Sequence, residues 1–378
     1  MPASARRAYA MLLAGAYAES IAGFGVGAVF TLGALRAMGI GGVPAGGIAV
    51  LSLCPAPWGA LGPGLTLGAA LAGRPAAEDS FITAIPHAAW LLIVPPVLWS
   101  LLARVGVPVG RGERLPQLGM QAVLALLMLL GGRFLPPEPV GIVASGLVLV
   151  PLLWRLVPPM DAAARGRALA AVGPWAEVSL SVLLARFWHG APAWQPFPDL
   201  PARPVTHVAV VLWAVSLGFM AARPDGYLRL RNTLLRMQRP AVAMMLYVLL
   251  GRWRAGSGAA AAMGGAIAAL GGLAPYAIPP LGLLGAVVTG SDVGAASAMM
   301  PVQAGLGYAL GLPPWLAPGM HNFSVGAGAA YSFAIMAMVC GLLGDGTRPP
   351  AIWRALMPAI LGIPVLGWAA VALMRYFG

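Results

Sequence analysis

The chain predicts an all-α polytopic membrane protein of about ten membrane elements, several of them broken helices. Three observations carry this. Hydrophobic residues make up 60% of the 378 residues and charged residues only 9%, against about 25% charged in a soluble domain. The mean hydropathy is +0.84. Two Gly-rich, acid-bearing segments interrupt apolar sequence near opposite ends: Glu19-Ser20-Ile21-Ala22-Gly23-Phe24-Gly25-Val26-Gly27 and Thr289-Gly290-Ser291-Asp292-Val293-Gly294-Ala295-Ala296-Ser297.

The elements follow in order. Residues 8–38 form an apolar run interrupted by the Glu19 segment. Residues 47–73 form a second, broken at Pro55, Pro57 and Pro63. Residues 84–103 read as a cleaner span, and 118–134 and 139–154 as two antiparallel spans joined at Pro136-Pro137-Glu138-Pro139. Residues 169–187 and 205–222 read as two crossings flanking a Trp- and Pro-rich loop. Residues 240–271 are too long for one crossing: at 1.5 Å per residue they cover about 48 Å against a ~30 Å hydrocarbon core. Arg252-Trp253-Arg254 and Gly256-Ser257-Gly258 are expected to interrupt them. Residues 273–288, the Asp292 segment, a broken span at 315–343 and a span at 355–374 complete the chain. The 51 glycines and 36 prolines lie largely inside apolar runs, where they mark close helix packing and kinks.

The net charge of +12 comes from arginine alone, for the chain has no lysine. The arginines fall between apolar runs and form no basic face, so nucleic acid is not an expected partner. The arginine-rich segments 104–114, 155–167 and 223–239 share one side if the spans between them pair up, and the positive-inside rule makes that side cytoplasmic. Cys54 and Cys340 read as free thiols without metal-ligand spacing. His-Glu-x-x-His, Gly-x-Ser-x-Gly and nucleotide-binding loops are missing, which removes the common hydrolase and ATP-driven classes and any cofactor.

A carboxylate inside bilayer-spanning sequence costs roughly 2.5–3.5 kcal/mol on insertion scales, so its default reading is functional. Glycine beside it lets the backbone leave the helix and expose its N–H and C=O groups. Asp292 is the leading candidate to carry a proton or shape a site, with a helix N-cap as its structural alternative. Glu19 follows the same logic, with an interfacial position as its alternative. Residues 19–27 and 289–297 are expected to meet near the membrane midplane as non-helical tips or broken helices. Arg252 and Arg254 read as a carboxylate clamp or a snorkelling pair. His321 and Asn322 offer hydrogen bonds beside Ser324. Glu177 reads as an interhelical partner, and His87, His189 and His207 as interfacial.

The same residues resemble the L-lactate permease family of bacterial carboxylate transporters. Ala18-Glu19-Ser20-Ile21-Ala22-Gly23-Phe24-Gly25 is similar to that family's Leu-Glu-Gly-Ala-Ala-Gly-Phe-Gly segment. Pro57 and Gly59-Ala60-Leu61-Gly62 sit where the family has a Pro and Gly-Ala-Leu-Gly. Leu284-Gly285-Ala286-Val287-Val288-Thr289-Gly290-Ser291-Asp292 is similar to Leu-Gly-Val-Phe-Leu-Thr-Gly-Ser-Asp, and Gln303 follows at the family's spacing. His321-Asn322-Phe323-Ser324-Val325-Gly326 keeps part of a third motif, but Ala330 falls about where the family carries a lysine. The resemblance implies a secondary transporter, not an enzyme, that moves lactate or a related 2-hydroxy-monocarboxylate with protons across the bacterial inner membrane. It also implies an ion-transporter-type fold of two inverted repeats with re-entrant hairpins, here in halves of about 1–160 and 168–378. The expected site draws on Asp292, Ser291, Gly290, Thr289, Glu19, Gly23, Gly25, Asn322 and Ser324, with Arg252, Arg254, His321 and Gln303 behind them. The partners are a small organic anion, protons and the lipid bilayer, with a homodimer as one possible assembly.

Overall fold

The computed structural model describes residues 4–156, 161–185, 187–188, 190–195 and 202–377. Most of them are helical, one ladder of two-residue strands is the regular extended structure among them, and seven helical stretches are long and apolar enough to cross a membrane. The protein is membrane-embedded and polytopic. Two compact units divide the chain. The first joins residues 1–156 to 246–378, and the second comprises 157–245.

The first unit opens with α1 (Ala5–Ala22) and α2 (Val26–Ala37), which fold back on each other as a hairpin. Its arms cross at two glycines. A Cβ on Gly15 would lie 2.0 Å from Thr31 Oγ1, and one on Gly27 would lie 2.3 Å from the Gly15 carbonyl oxygen. Only hydrogen fits there. Next come α3 (Gly42–Leu51), a 3₁₀ turn (Ala56–Leu61) and α4 (Pro63–Leu71). Then α5 (Ala76–Leu91) and α6 (Val94–Ala103) run nearly end to end, followed by α7 (Arg111–Phe134) and α8 (Pro137–Leu156). The spans expected from 84, 118 and 139 thus begin earlier. Proline sits inside α5, α7 and α8 at Pro86, Pro116 and Pro151.

The second unit holds α9 (Ala162–Ala185), the ladder of β1 (Ala193–Trp194) on β2 (Arg203–Pro204), α10 (Val208–Ala221) and the first part of α11 (Gly226–Gly256). At 14 residues α10 is shorter than the expected crossing at 205–222. His207 caps it, its Nδ1 accepting the Ala209 N–H. Arg231 is exposed on α11, as Arg165 and Glu177 are on α9. His189 and residues 196–201 lie outside the described residues.

The last part of the first unit contains α12 (Ala259–Ala268), α13 (Ile278–Thr289), α14 (Asp292–Ala309), α15 (Leu316–Ala329), α16 (Phe333–Leu343) and α17 (Pro349–Phe377). The long run from 240 does break, but at Ser257-Gly258, where Gly258 takes φ +76°. Arg252 and Arg254 do not interrupt it. They lie within α11, because Arg and Trp are tolerated in a helix whereas a left-handed glycine ends it.

Packing within this unit is reciprocal. Helices α13 and α14 form a second hairpin, α4 packs on α14, and α16 packs on α2. Helix α3 lies against α6 and α17, while α15 lies against α17 and α5. Close approaches again fall at glycines. A Cβ on Gly326 of α15 would lie 2.4 Å from Pro57 Cγ, and one on Gly251 of α11 would lie 2.2 Å from the Ser297 carbonyl oxygen. The largest buried cluster holds Tyr9, Trp58, Trp90, Phe323 and Tyr331. His87 is not interfacial: it is fully buried among Trp58, Trp90 and Phe323, with ring centroids 5.3–6.2 Å away. Cys54 and Cys340 are free thiols, the first buried and the second half-buried.

Candidate functional site

Four helix interruptions in the first unit converge on one cavity of about 80 Å³. Its lining comes from the α1–α2 tip (Glu19, Gly23, Phe24, Gly25) and the α3–α4 break (Ala56, Gly59, Ala60, Pro63). The α13–α14 tip adds Gly290, Ser291, Asp292 and Val293, and the α15–α16 break adds Ala329 and Ala330. One water needs about 10–15 Å³ by this kind of measure, so the space suits roughly five waters or a solute of similar size.

At the first tip, Gly23, Phe24 and Gly25 all take positive φ, of +64°, +54° and +81°. The chain can therefore reverse between α1 and α2 within three residues. Glu19 is 5% exposed, and its carboxylate is fully engaged by this tip. Oε1 accepts the Gly25 N–H at 3.2 Å and Oε2 the Gly27 N–H at 3.0 Å. Glu19 thus satisfies the first turn of α2, where free N–H groups and the helix dipole favour an anion. The hairpin folds Glu19 inward and buries it, which goes against the interfacial position that is its alternative reading.

The α3–α4 break is strained. Ala60 and Leu61 hold φ of +49° and +68°, followed by Gly62 at +67°. Non-glycine residues in this region cost of order 1–3 kcal/mol each. The first tip presses on this break: a Cβ on Gly23 would lie 2.4 Å from Ala60 Cβ. Helix α4 starts at Pro63 without a side-chain cap.

At the second tip, Gly290 ends α13 in the left-handed region. Ser291, not Asp292, is the N-cap of α14, its Oγ accepting the Gly294 N–H at 3.2 Å. Asp292 is the first helical residue, half-buried, and its Oδ1 is buried with no hydrogen-bond partner. Its other oxygen lies against the start of α4: a Cβ on Gly64 would lie 2.2 Å from Oδ2. Asp292 therefore sits between the N-termini of α14 and α4, both favourable to negative charge. The second tip also presses on a break, with a Cβ on Gly290 falling 2.9 Å from Ala334 Cβ. Ser332 caps α16 there, accepting the Ile335 N–H at 3.3 Å.

The expected residues divide into three groups. Glu19, Gly23, Gly25, Gly290, Ser291 and Asp292 line the cavity. Thr289 shapes its rim: Oγ1 donates to the Gly285 carbonyl at 2.8 Å, closing α13. The rest stand back from it. Asn322 is buried on α15 over Gly68, one turn along α4 from Gly64, and neither of its amide atoms has a partner. His321 and Ser324 are buried where α15 meets Gly282 of α13. Gln303 donates to the Ile278 carbonyl at 3.2 Å, locking α14 to the start of α13. Arg254 donates to the Ala298 carbonyl at 2.8 Å and ties α11 to α14. Arg252 is exposed. The arginines do not form a clamp at the cavity.

Sequence reasoning missed Phe24, which lines the cavity while 61% exposed. It also missed the left-handed pair Ala60-Leu61, for which the neighbouring Pro57, Gly59 and Gly62 were the available signal. Ala330 lines the cavity too, and among the described residues no arginine or histidine does. A scan of protein-family models returned no match to this chain, and neither did a search of curated proteins.

Proposed function

We propose that the protein is a secondary active transporter of lactate or a related small 2-hydroxy-monocarboxylate, operating by proton symport in the bacterial inner membrane. The observation that carries this reading is the convergence of four interrupted helices on one cavity holding Glu19 and Asp292. Half-helix starts offer N–H groups to an anion, and interrupted backbone in a membrane is tolerated where it lines such a site.

Two inverted repeats account for the arrangement. Hairpin α1–α2 corresponds to α13–α14, broken pair α3–α4 to α15–α16, and α5–α6 to α17. The reciprocal packing of α3 and α15 supports the correspondence. The 12-residue arm α2 spans about 18 Å, too little for a ~30 Å core, so the first hairpin is re-entrant.

The side chains lining the cavity explain why a proton would travel with the substrate. Among the described residues they include two carboxyls and no cationic group. A substrate carboxylate about 4 Å from ionised Asp292 is repelled by roughly 4 kcal/mol at an effective dielectric of 20. Protonated Asp292 removes that repulsion and can donate a hydrogen bond. The uncapped start of α4 supplies further donors. The substrate anion and the proton then bind together or not at all, and neither an enzyme nor a cofactor is required.

Uptake of radiolabelled lactate into proteoliposomes, with and without an inward proton gradient, tests the proposal. Accumulation that appears only with the gradient is expected. No uptake in either condition overturns it, and competition by other small organic anions defines the selectivity.

A further inference from the structure

We propose that the groove between the start of α1 and helices α7 and α8 is a binding site for an anionic phospholipid. It is a cavity of about 580 Å³, separate from the site at the hairpin tips. One end carries Arg6, Arg155, Glu113 and Gln117, and the rest is walled by Met120, Val123, Leu147 and Leu152, among others. From Glu113 to Val123 it follows α7 for about 15 Å.

Three observations define the occupant. The polar end has an excess of cation. Arg6 approaches Glu113 only at 3.9 Å, with 60% of its side chain exposed, and Arg155 is exposed at the end of α8. Gln117 supplies a buried donor. Its residue is 2% exposed and its Oε1 accepts the Trp99 N–H at 2.8 Å, but its Nε2 has no partner. A buried N–H left this way calls for an acceptor. Finally, the apolar wall continues into helix surface that carries exposed Leu126, Leu130 and Val150, the surface that lipid covers. An amphiphile with a negatively charged, acceptor-rich head and an apolar tail meets all three demands. Phosphatidylglycerol has this chemistry, with phosphate oxygens for the arginines and Gln117. Phosphatidylcholine carries the same tails and no net charge.

Native mass spectrometry of the full chain in detergent, titrated with each lipid, tests the assignment. An arginine near an anionic head contributes about fivefold in affinity, so wild type is expected to prefer phosphatidylglycerol by roughly 25-fold. The Arg6→Gln/Arg155→Gln variant should bring the two lipids near parity. Met120→Trp, which fills the apolar groove and keeps both arginines, should lower retention of both lipids. Equal retention by wild type, or an unchanged preference in the double variant, overturns the proposal. So does displacement of phosphatidylglycerol by inorganic phosphate alone, which would mark a simple anion site. A thermal melt of each variant separates lost binding from lost fold.

Discussion

Replacing Asp292 with asparagine changes one property of the cavity while preserving its shape. Asparagine keeps the size and hydrogen-bonding capacity of the carboxyl but cannot ionise. It also leaves the start of α14 intact, because Ser291 is the cap. In the native protein, substrate affinity should fall tenfold per pH unit once Asp292 ionises. The fall should level off near a thousandfold, the equivalent of the roughly 4 kcal/mol repulsion worked out above. Among the described residues no cationic side chain lines the cavity to absorb it. In Asp292→Asn the affinity should be nearly flat with pH. Calorimetric titration of lactate into purified protein from pH 5.5 to 8.5 measures both curves. In proteoliposomes, the variant should lose gradient-driven accumulation and keep exchange of substrate for substrate. Parallel curves for the two proteins, or normal accumulation by the variant, would refute the reasoning and leave Glu19 as the remaining acidic candidate.

Other substitutions probe the architecture. Gly27→Ala puts a methyl 2.3 Å from the Gly15 carbonyl oxygen, which is backbone and cannot swing away; it should cost about 1–3 kcal/mol or more, read as a lowered melting temperature. Glu19→Gln leaves a single acceptor oxygen for the N–H groups of Gly25 and Gly27. One N–H then loses its acceptor, at a cost of about 1–3 kcal/mol, and hydrogen exchange at the tip should speed up. Arg254→Gln should lose about 1.5 kcal/mol with its bond to the Ala298 carbonyl and leave the substrate KM unchanged, unlike the loss of a carboxylate clamp. Hydrogen bonds from Thr347 and from the Gly42 N–H hold the Asp345 carboxyl below the usual carboxylate range. A group depressed in the folded state stabilises above its unfolded value and loses that effect as pH falls through the folded one. Protection of the Gly42 and Thr347 amides, measured against their intrinsic exchange rates, should therefore fall at acidic pH, and Asp345→Asn should abolish that dependence.

Much of the site was legible because its signals are local. A carboxylate beside glycines inside apolar sequence conflicts with a plain membrane helix, and that conflict located both tips. Prolines at 55, 57 and 63 marked the α3–α4 break for the same reason. What stayed hidden depends on packing between distant segments. Pro57, Gly59 and Gly62 mark a break near Ala60 and Leu61, but they do not say which residues take the left-handed backbone; the neighbouring tip, which packs against Ala60, bears on that choice. The role of Ser291 over Asp292 as cap turned on a one-residue difference that propensity does not resolve, since both are good caps. His87 was misplaced because a histidine between apolar residues reads the same at an interface and in an aromatic cage. Arg254 read as half of a carboxylate clamp or of a snorkelling pair, because the carbonyl it serves lies 44 residues away.

The order in which the chain is made adds a consequence to the Glu19 hydrogen bonds. Both of its acceptor contacts lie within eight residues, so the first hairpin neutralises its own acid as soon as it emerges. It can wait in lipid while more than 250 further residues are synthesised. Asp292 has no such local arrangement, but it is made after α4, whose start is already in the chain to receive it. The N-terminal hairpin is thus built to tolerate delay and the C-terminal one to complete an existing half-site. A chain truncated before α13 should therefore insert its first hairpin stably and still have no cavity.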